Sequence, residues 1–427
     1  MAETQTKTTD QADADLYRFD RSVELFERAT KVIPFGIYGH HSPALRTPGS
    51  TPYYFAKGQG SRIWDVDGNE YVDWICAYGP MLLGYNHPKV EAAAAKQREQ
   101  GDCLSGPGEV MVELAERLVD RTPFADWFLF AKNGSDMTTW AIQVARAHTG
   151  REKIIMAQGA YHGKDAWCTP GHGGLTPADR ATILTFPWND LARLQRLVEA
   201  HRGNVAGIIL TPYHFPNWWD NELPAEGFLP GVRKICDEEG IVFILDDVRT
   251  CFRLHMGGSG EYFGVQPDLS AYCKAIANGY ALSACGGKDA FKTAASKVFL
   301  TGSYWFSGVP MAAAMATLDE LEACDGITRM RELGRKLCDD LTSCAASHGL
   351  KLTCSGHPSM PFVKFADDDD FYRTQVWCAE VTRRGAYVHP HHNWFVSTAH
   401  TEDDVQRTLE AAEPAFRVVK ERFGTQM

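Results

Sequence analysis

The sequence predicts an α/β fold: a large domain whose mostly parallel sheet lies between helices, followed by a smaller mixed segment. Three observations predict it. Apolar runs of strand length recur at 127–131, 153–157, 207–211 and 241–245. Helical stretches such as 109–121 and 229–239 separate them, and strands alternating with helices are the pattern of a parallel sheet covered on both faces. At 427 residues the chain is too long for one small domain and suits two that share an interface.

In chain order, residues 1–15 are polar without an apolar core, so a disordered tail is expected there and a secretory signal is not. Residues 16–33 carry apolar side chains at helical spacing, and Pro34 stops that helix. The next loop is rich in Gly, Pro and His and carries Tyr38, His40, His41 and Arg46; it is either a surface connection or part of a site. Tyr53 to Phe55 and Arg62 to Trp64 flank a Gly-rich turn, and Asp67-Gly68-Asn69 makes another, which fits short antiparallel strands. The strand–helix alternation begins near Tyr78. The helix 109–121 precedes strand 127–131, and Asn133-Gly134-Ser135-Asp136 opens a helix running through Arg146. Strand 153–157 leads to Tyr161-His162-Gly163; strand 207–211, helix 229–239 and strand 241–245 continue the series. After Pro310 the pattern is helical to about 347, and strand 361–365 and helix 402–420 close the chain. The four aspartates 367–370 read as a solvated loop. The expected divisions are a tail 1–15, an N-terminal segment 16–76, a large domain 77–320 and a C-terminal domain 321–427.

A net charge of −11 argues against a nucleic-acid partner, which calls for a basic face. The 12 cysteines include no CxxC pair, which fits reduced, buried thiols of a cytoplasmic protein. No apolar run reaches the length of a membrane span.

The chemistry concentrates at 240–279. Asp246 and Asp247 end an apolar strand, where open α/β sheets place their ligands. In an extended chain Asp246 and Val248 face one way, and Asp247 and Arg249 the other. An aspartate beside a β-branched residue suits a flat heteroaromatic ring: the carboxylate pairs with a ring nitrogen and the valine covers the ring face. Lys274 stands among Ala271, Cys273, Ala275, Ile276 and Ala277, and such surroundings lower a lysine's pKa and free its amine as a nucleophile. A ring-nitrogen carboxylate with an aldehyde-binding lysine points to pyridoxal 5'-phosphate; an ordinary strand end with a snorkelling lysine is the plain alternative. Gly134 and Ser135 before a helix suit an anion or a simple cap.

This stretch resembles the cofactor core of the class III aminotransferases, the glutamate-1-semialdehyde aminomutase group in particular. YGPMLLGYNHP at 78–88, GREKIIMAQGAYHG at 150–163, EGFLPGVRKICDEEG at 226–240 and SGVPMAAAMATL at 307–318 resemble the same family in the same order. The likeness spans roughly residues 30–415. It implies a fold type I enzyme, with the small α+β domain built from the N- and C-terminal segments. It also implies a transaminase working through a Lys274 Schiff base, the alternatives being an aminomutase or racemase of the same fold. Gly134 and Ser135 would hold the phosphate, Tyr161 would stack on the ring opposite Val248 with His162 beside it, and Asp246 would keep the ring nitrogen protonated. A homodimer with active sites at the interface is implied as well.

Three positions depart from the family. Thr211-Pro212 stands where a Glu-Pro is frequent, Asp247 stands for a glutamate, and Trp305 occupies the place of a threonine that binds the neighbouring subunit's phosphate. For the substrate, Tyr38, Arg46 and Trp394 are the candidates; Trp218 and Trp219 suit either a pocket or plain packing. Arg249 and Arg253 could pair with a carboxylate, Arg249 ranking below Arg46 because strand alternation turns it away. The histidines 389, 391 and 392 cluster without an acidic partner, and no metal is expected.

Overall fold

The structure, a computed structural model, describes residues 16–37, 42–216 and 219–425. Tyr38, His40, His41 and Trp218 lie outside the described residues. Along the chain, helix α1 (Asp20–Ala29) precedes strands β1 (Phe55–Gln59), β2 (Arg62–Asp65) and β3 (Glu70–Asp73). Then come α2 (Pro88–Gln100), α3 (Glu109–Arg121), β4 (Trp127–Ala131), α4 (Gly134–Thr149), β5 (Lys153–Ala157) and β6 (Ile183–Phe186). They are followed by α5 (Leu191–Ala200), β7 (Val205–Leu210), α6 (Phe228–Glu239), β8 (Val242–Asp246), β9 (Leu269–Tyr272) and β10 (Ser283–Gly287). The chain closes with α7 (Gly308–Ala323), α8 (Gly326–Ser347), β11 (Leu352–Ser355), β12 (Phe362–Phe365), α9 (Tyr372–Thr382), β13 (Ala386–Tyr387) and α10 (Glu402–Phe423).

The chain divides into two compact units, Ala77–Arg331 and a second made of the segments up to Cys76 and from Glu332 onward. In the larger unit a seven-stranded sheet runs β4-β10-β9-β8-β7-β5-β6. The pairs from β9 to β6 are parallel, and β10 is antiparallel to both neighbours. Strand β8 shows how the sheet is buried on both faces. Val242 and Ile244 join an apolar cluster built around α4, while Phe243 and Leu245 join another built around α5 and α6. This alternation puts Asp246 on the α4 side. The α/β class and the mixed, mostly parallel sheet are as the sequence predicts.

The smaller unit pairs the chain's two ends. Strand β13 lies parallel to β3, Ala386 opposite Val72, and completes the sheet β1-β2-β3-β13; β11 and β12 form a separate antiparallel pair. No helix of the described residues is long and apolar enough to cross a membrane.

Candidate active site

Strand β8 stops at Asp246, and residues 248–250 form a turn. The two aspartates therefore part. Asp247 is fully buried; it accepts from Ser259 N at 2.7 Å and from the Ser259 and Thr250 hydroxyls. Burial raises its pKa to about 6 against those bonds. Asp247 thus knots the loop after β8 together. Asp246 Oδ2 instead meets His162 Nδ1 at 2.7 Å, both side chains being buried. A carboxylate only accepts, so Nδ1 carries the hydrogen. Val248 N also bonds Asp246 Oδ1 at 3.2 Å.

Lys274 follows β9 with a left-handed backbone, φ +43°, at the start of a turn that ends on Asn278, also φ +43°. Non-glycine residues in that region mark strain, which gathers at working sites. The Asn278 amide braces the facing loop, accepting from Leu83 N at 2.7 Å and donating to Gly84 O at 2.9 Å. That loop begins with Tyr78, φ +64°, whose carbonyl accepts from Lys274 Nζ at 2.9 Å. The Lys274 amine has its pKa pulled down to about 7, chiefly by withdrawal from water and next by the Arg249 cation; Cys273 and Asp246 oppose this, and Arg253 adds to it.

Gly134 begins α4 against Val248: a Cβ there would lie 2.7 Å from Val248 Cγ1. Gly163, at φ +130°, leaves room for Ser135, whose Oγ would stand 2.4 Å from a Cβ. Ser135 Oγ accepts from Lys164 N at 3.0 Å, keeping its own hydrogen to donate. Asp136, not Ser135, caps the helix by accepting from Asn133 N at 2.8 Å. The glycines thus keep open a cradle beside a helix N-terminus, between Val248 and Ser135, and the charge of Asp246 reaches Lys274. Tyr161 is half-buried beside it; burial raises its phenol pKa, and the charges of Arg249 and Asp246 both reach it. This donor set fits pyridoxal phosphate, which supplies an aldehyde for an amine and a protonated ring that draws electrons.

Arg249 corrects the sequence reading. It does not point away: its guanidinium lies 4.5 Å from the Phe215 ring centre, and its charge acts on Tyr161, Asp246 and Lys274. Alternation failed because the strand ends three residues earlier. Burial lowers its pKa, with Tyr213, Asp246 and Tyr161 opposing. Arg253 is fully buried and donates to Gly79 O at 2.6 Å, which makes it part of the scaffold. Trp305 is half-buried; it packs on the α4 cluster and lies across Gly302, where a Cβ would sit 2.3 Å from its Nε1.

Two of the other candidates belong to the smaller unit. Arg46 ends a single helical turn, Pro43–Arg46, in the smaller unit. Trp394, expected at the substrate, is a fully buried core residue of that unit: its ring stacks on Trp377 at 6.1 Å and its N–H bonds His389 O at 3.1 Å. Trp219 is 63% exposed. Around the histidines 389, 391 and 392, no group of three metal-ligating side chains forms among the described residues. Sequence reading missed Tyr213, His214 and Phe215. Their one signal was position, directly after β7, where such sheets place ligands.

The family described as aminotransferase class-III matches residues 46–401. The aminopentol aminotransferase of Sphingopyxis macrogoltabida is 44% identical over 95% of this chain and 96% of its own. The 3-aminobutyryl-CoA aminotransferase of Cloacimonas acidaminovorans is 35% identical over 95% and 99%. Among solved structures, the PLP internal aldimine form of Sphingopyxis sp. MTA144 FumI protein is 44% identical, covers 95% of this chain and 98% of its own, and superimposes with a TM-score of 0.93. The chain belongs to the class-III aminotransferases and is a pyridoxal-phosphate-dependent aminotransferase.

Proposed function

We propose that Lys274 is the amine that binds the cofactor and later moves the proton at the substrate carbon. The observation that carries this is the Lys274 amine itself, held by Tyr78 O with its pKa near 7. A group of that pKa is a free nucleophile and a useful acid or base at neutral pH. Asp246, oriented by His162, holds the proton on the ring nitrogen. Gly134, Ser135 and the N-terminus of α4 take the phosphate. Tyr161 and Val248 cover the two ring faces. Arg46 and Tyr38 remain substrate candidates on sequence grounds; Trp394 packs on Trp377 in the core of the smaller unit.

The donor is an amine and the acceptor a keto or aldehyde compound. Relatives named for aminopentol and 3-aminobutyryl-CoA favour donors whose amine is not that of an α-amino acid. Tyr161, Tyr213 and Phe215 suit such a donor's carbon chain. We place the protein in the cytoplasm, where cysteines outside disulfides stay reduced. We assign a homodimer in which Trp305 reaches the partner's site. Phe299, Tyr304 and Phe306 nearby are 85%, 69% and 42% exposed, the kind of apolar surface that a partner covers.

In the test, an amine donor without acceptor should bleach the cofactor's visible band stoichiometrically, and a keto acceptor should restore it. Racemisation or intramolecular shift without that bleaching would sink the transaminase assignment for the donors tried. Borohydride should fix the cofactor to the wild type and not to Lys274→Ala; a reducible adduct in the variant would remove Lys274 from the role.

A further inference from the structure

Among the described residues, three buried polar atoms on loops that follow neighbouring strands have no hydrogen-bond partner: His162 Nε2, Thr211 Oγ1 and His214 Nδ1. Their residues are 2%, 6% and 6% exposed. They come from the loops after β5 and β7, which are neighbours in the sheet, and β7 is in turn beside β8 with its Asp246. The loops therefore leave the same sheet edge side by side.

The partners these residues do have fix their tautomers. His162 gives its Nδ1 hydrogen to Asp246; in the neutral ring Nε2 is then a bare acceptor. His214 bonds the carbonyl of Gln158. With Nδ1 unpaired, that bond uses Nε2–H, and Nδ1 is the second bare acceptor. Its ring is held flat against Trp188, 5.3 Å between centres and 14° between planes. Burial drives its pKa down to about 4, so it stays neutral and cannot supply a second hydrogen. Two acceptors and one hydroxyl cannot satisfy each other: Thr211 has a single hydrogen to give. Water has two hydrogens for the two imidazoles and lone pairs for the Thr211 hydroxyl. One such molecule complements all three, as buried waters with about three bonds do.

We propose that His162, Thr211 and His214 form a buried water site, and that through it Thr211 and His214 are positioning residues for Asp246. The proposal rests on Asp246 being the partner of the ring nitrogen. A water on Nε2 stops the His162 ring from turning its Nδ1–H out of line with the carboxylate.

The experiment uses the full-length protein, with and without cofactor. A crystal structure should show a water within about 3 Å of all three atoms. In protein labelled with ¹⁵N-histidine, the His162 Nδ1 proton should give a far-downfield signal that is absent in Asp246→Asn. Thr211→Val and His214→Phe should speed the exchange of that proton and slow the amine half-reaction about fivefold each, the weight of one hydrogen bond. His214→Asn places an amide oxygen where Nδ1 was and should restore most of the signal's protection; this separates a lost acceptor from damaged packing. No water at the three atoms, or unchanged exchange in both Thr211→Val and His214→Phe, overturns the proposal. A normal half-reaction in Asp246→Asn would instead overturn the Asp246 reading, whatever the water site shows.

Discussion

The Lys274 amine allows a measurement on the cofactor-free protein. An ordinary lysine has a pKa of 10.5, and here it falls to about 7, a difference of about 5 kcal/mol between charged and neutral forms. At pH 7 about half of the Lys274 amines are neutral, against roughly one in three thousand for an unperturbed lysine. Only the neutral amine attacks an aldehyde. The rate at which cofactor-free protein takes up pyridoxal phosphate should therefore rise through pH 7 and level off about one unit above it. Stopped-flow absorbance from pH 6 to 10 follows this directly. A rate that keeps climbing past pH 9 would refute the depressed pKa, and with it the nucleophile argument. Arg249→Met removes the second cation, so its inflection should move to higher pH.

The same shift has a stability consequence of known sign. Between pH 7 and 10.5 the unfolded chain binds a proton on Lys274 that the folded chain does not. Stability of the cofactor-free protein should thus rise with pH across that window, by at most about 1.4 kcal/mol per unit, and the penalty is complete below pH 7. Lys274→Met should flatten that rise in denaturant midpoints measured at pH 7 and 9.

Three further outcomes are expected. Asp246→Asn should fold normally yet lose about 3 kcal/mol or more of rate stabilisation, because it removes a buried charge that His162 orients; near-normal half-reaction rates would contradict it. Gly163→Ala should lower cofactor affinity and the thermal midpoint together, since its Cβ would stand 2.4 Å from Ser135 Oγ at a φ of +130°; unchanged cofactor retention would show that Ser135 is not a phosphate ligand. Mixing Lys274→Ala with Trp305→Ala chains should restore part of the activity if Trp305 serves the partner's site, and no recovery in subunits shown to have exchanged would place it elsewhere.

Much of the fold was legible because its strands are long apolar runs between amphipathic helices: 127–131 and 153–157 match β4 and β5 residue for residue. The missed strands are short or lack strand-like residues. Strand β10 reads Ser-Ala-Cys-Gly-Gly because Trp127 and Phe128 occupy the space its side chains would need, 2.3 Å and 2.7 Å from the absent Cβ atoms of Gly287 and Gly286. Such a strand is set by its neighbours' bulk, which local pattern does not record. In the same way β6 and β9, four residues each, fall below the length at which periodicity speaks.

The site was legible where a residue's type decides its chemistry, as for Lys274 and Asp246, and illegible where charge is shared across the sheet. Arg249 shows the difference. Its orientation was inferred by extending the strand's period past Asp246, but Asp247 binds Ser259 and Thr250 and turns the chain there. The turn carries a cation back toward the lysine. Arginine does not give up its proton in such a place, so its charge adds to burial in lowering the pKa of the lysine beside it. Cys273 and Asp246 oppose the shift, Arg253 adds to it, and with burial the largest influence the amine's pKa comes to about 7. The turn made by Asp247 therefore adds to the reactivity that burial chiefly gives the lysine, and Asp247→Asn, which weakens that knot, should move the Lys274 inflection along with the fold's stability.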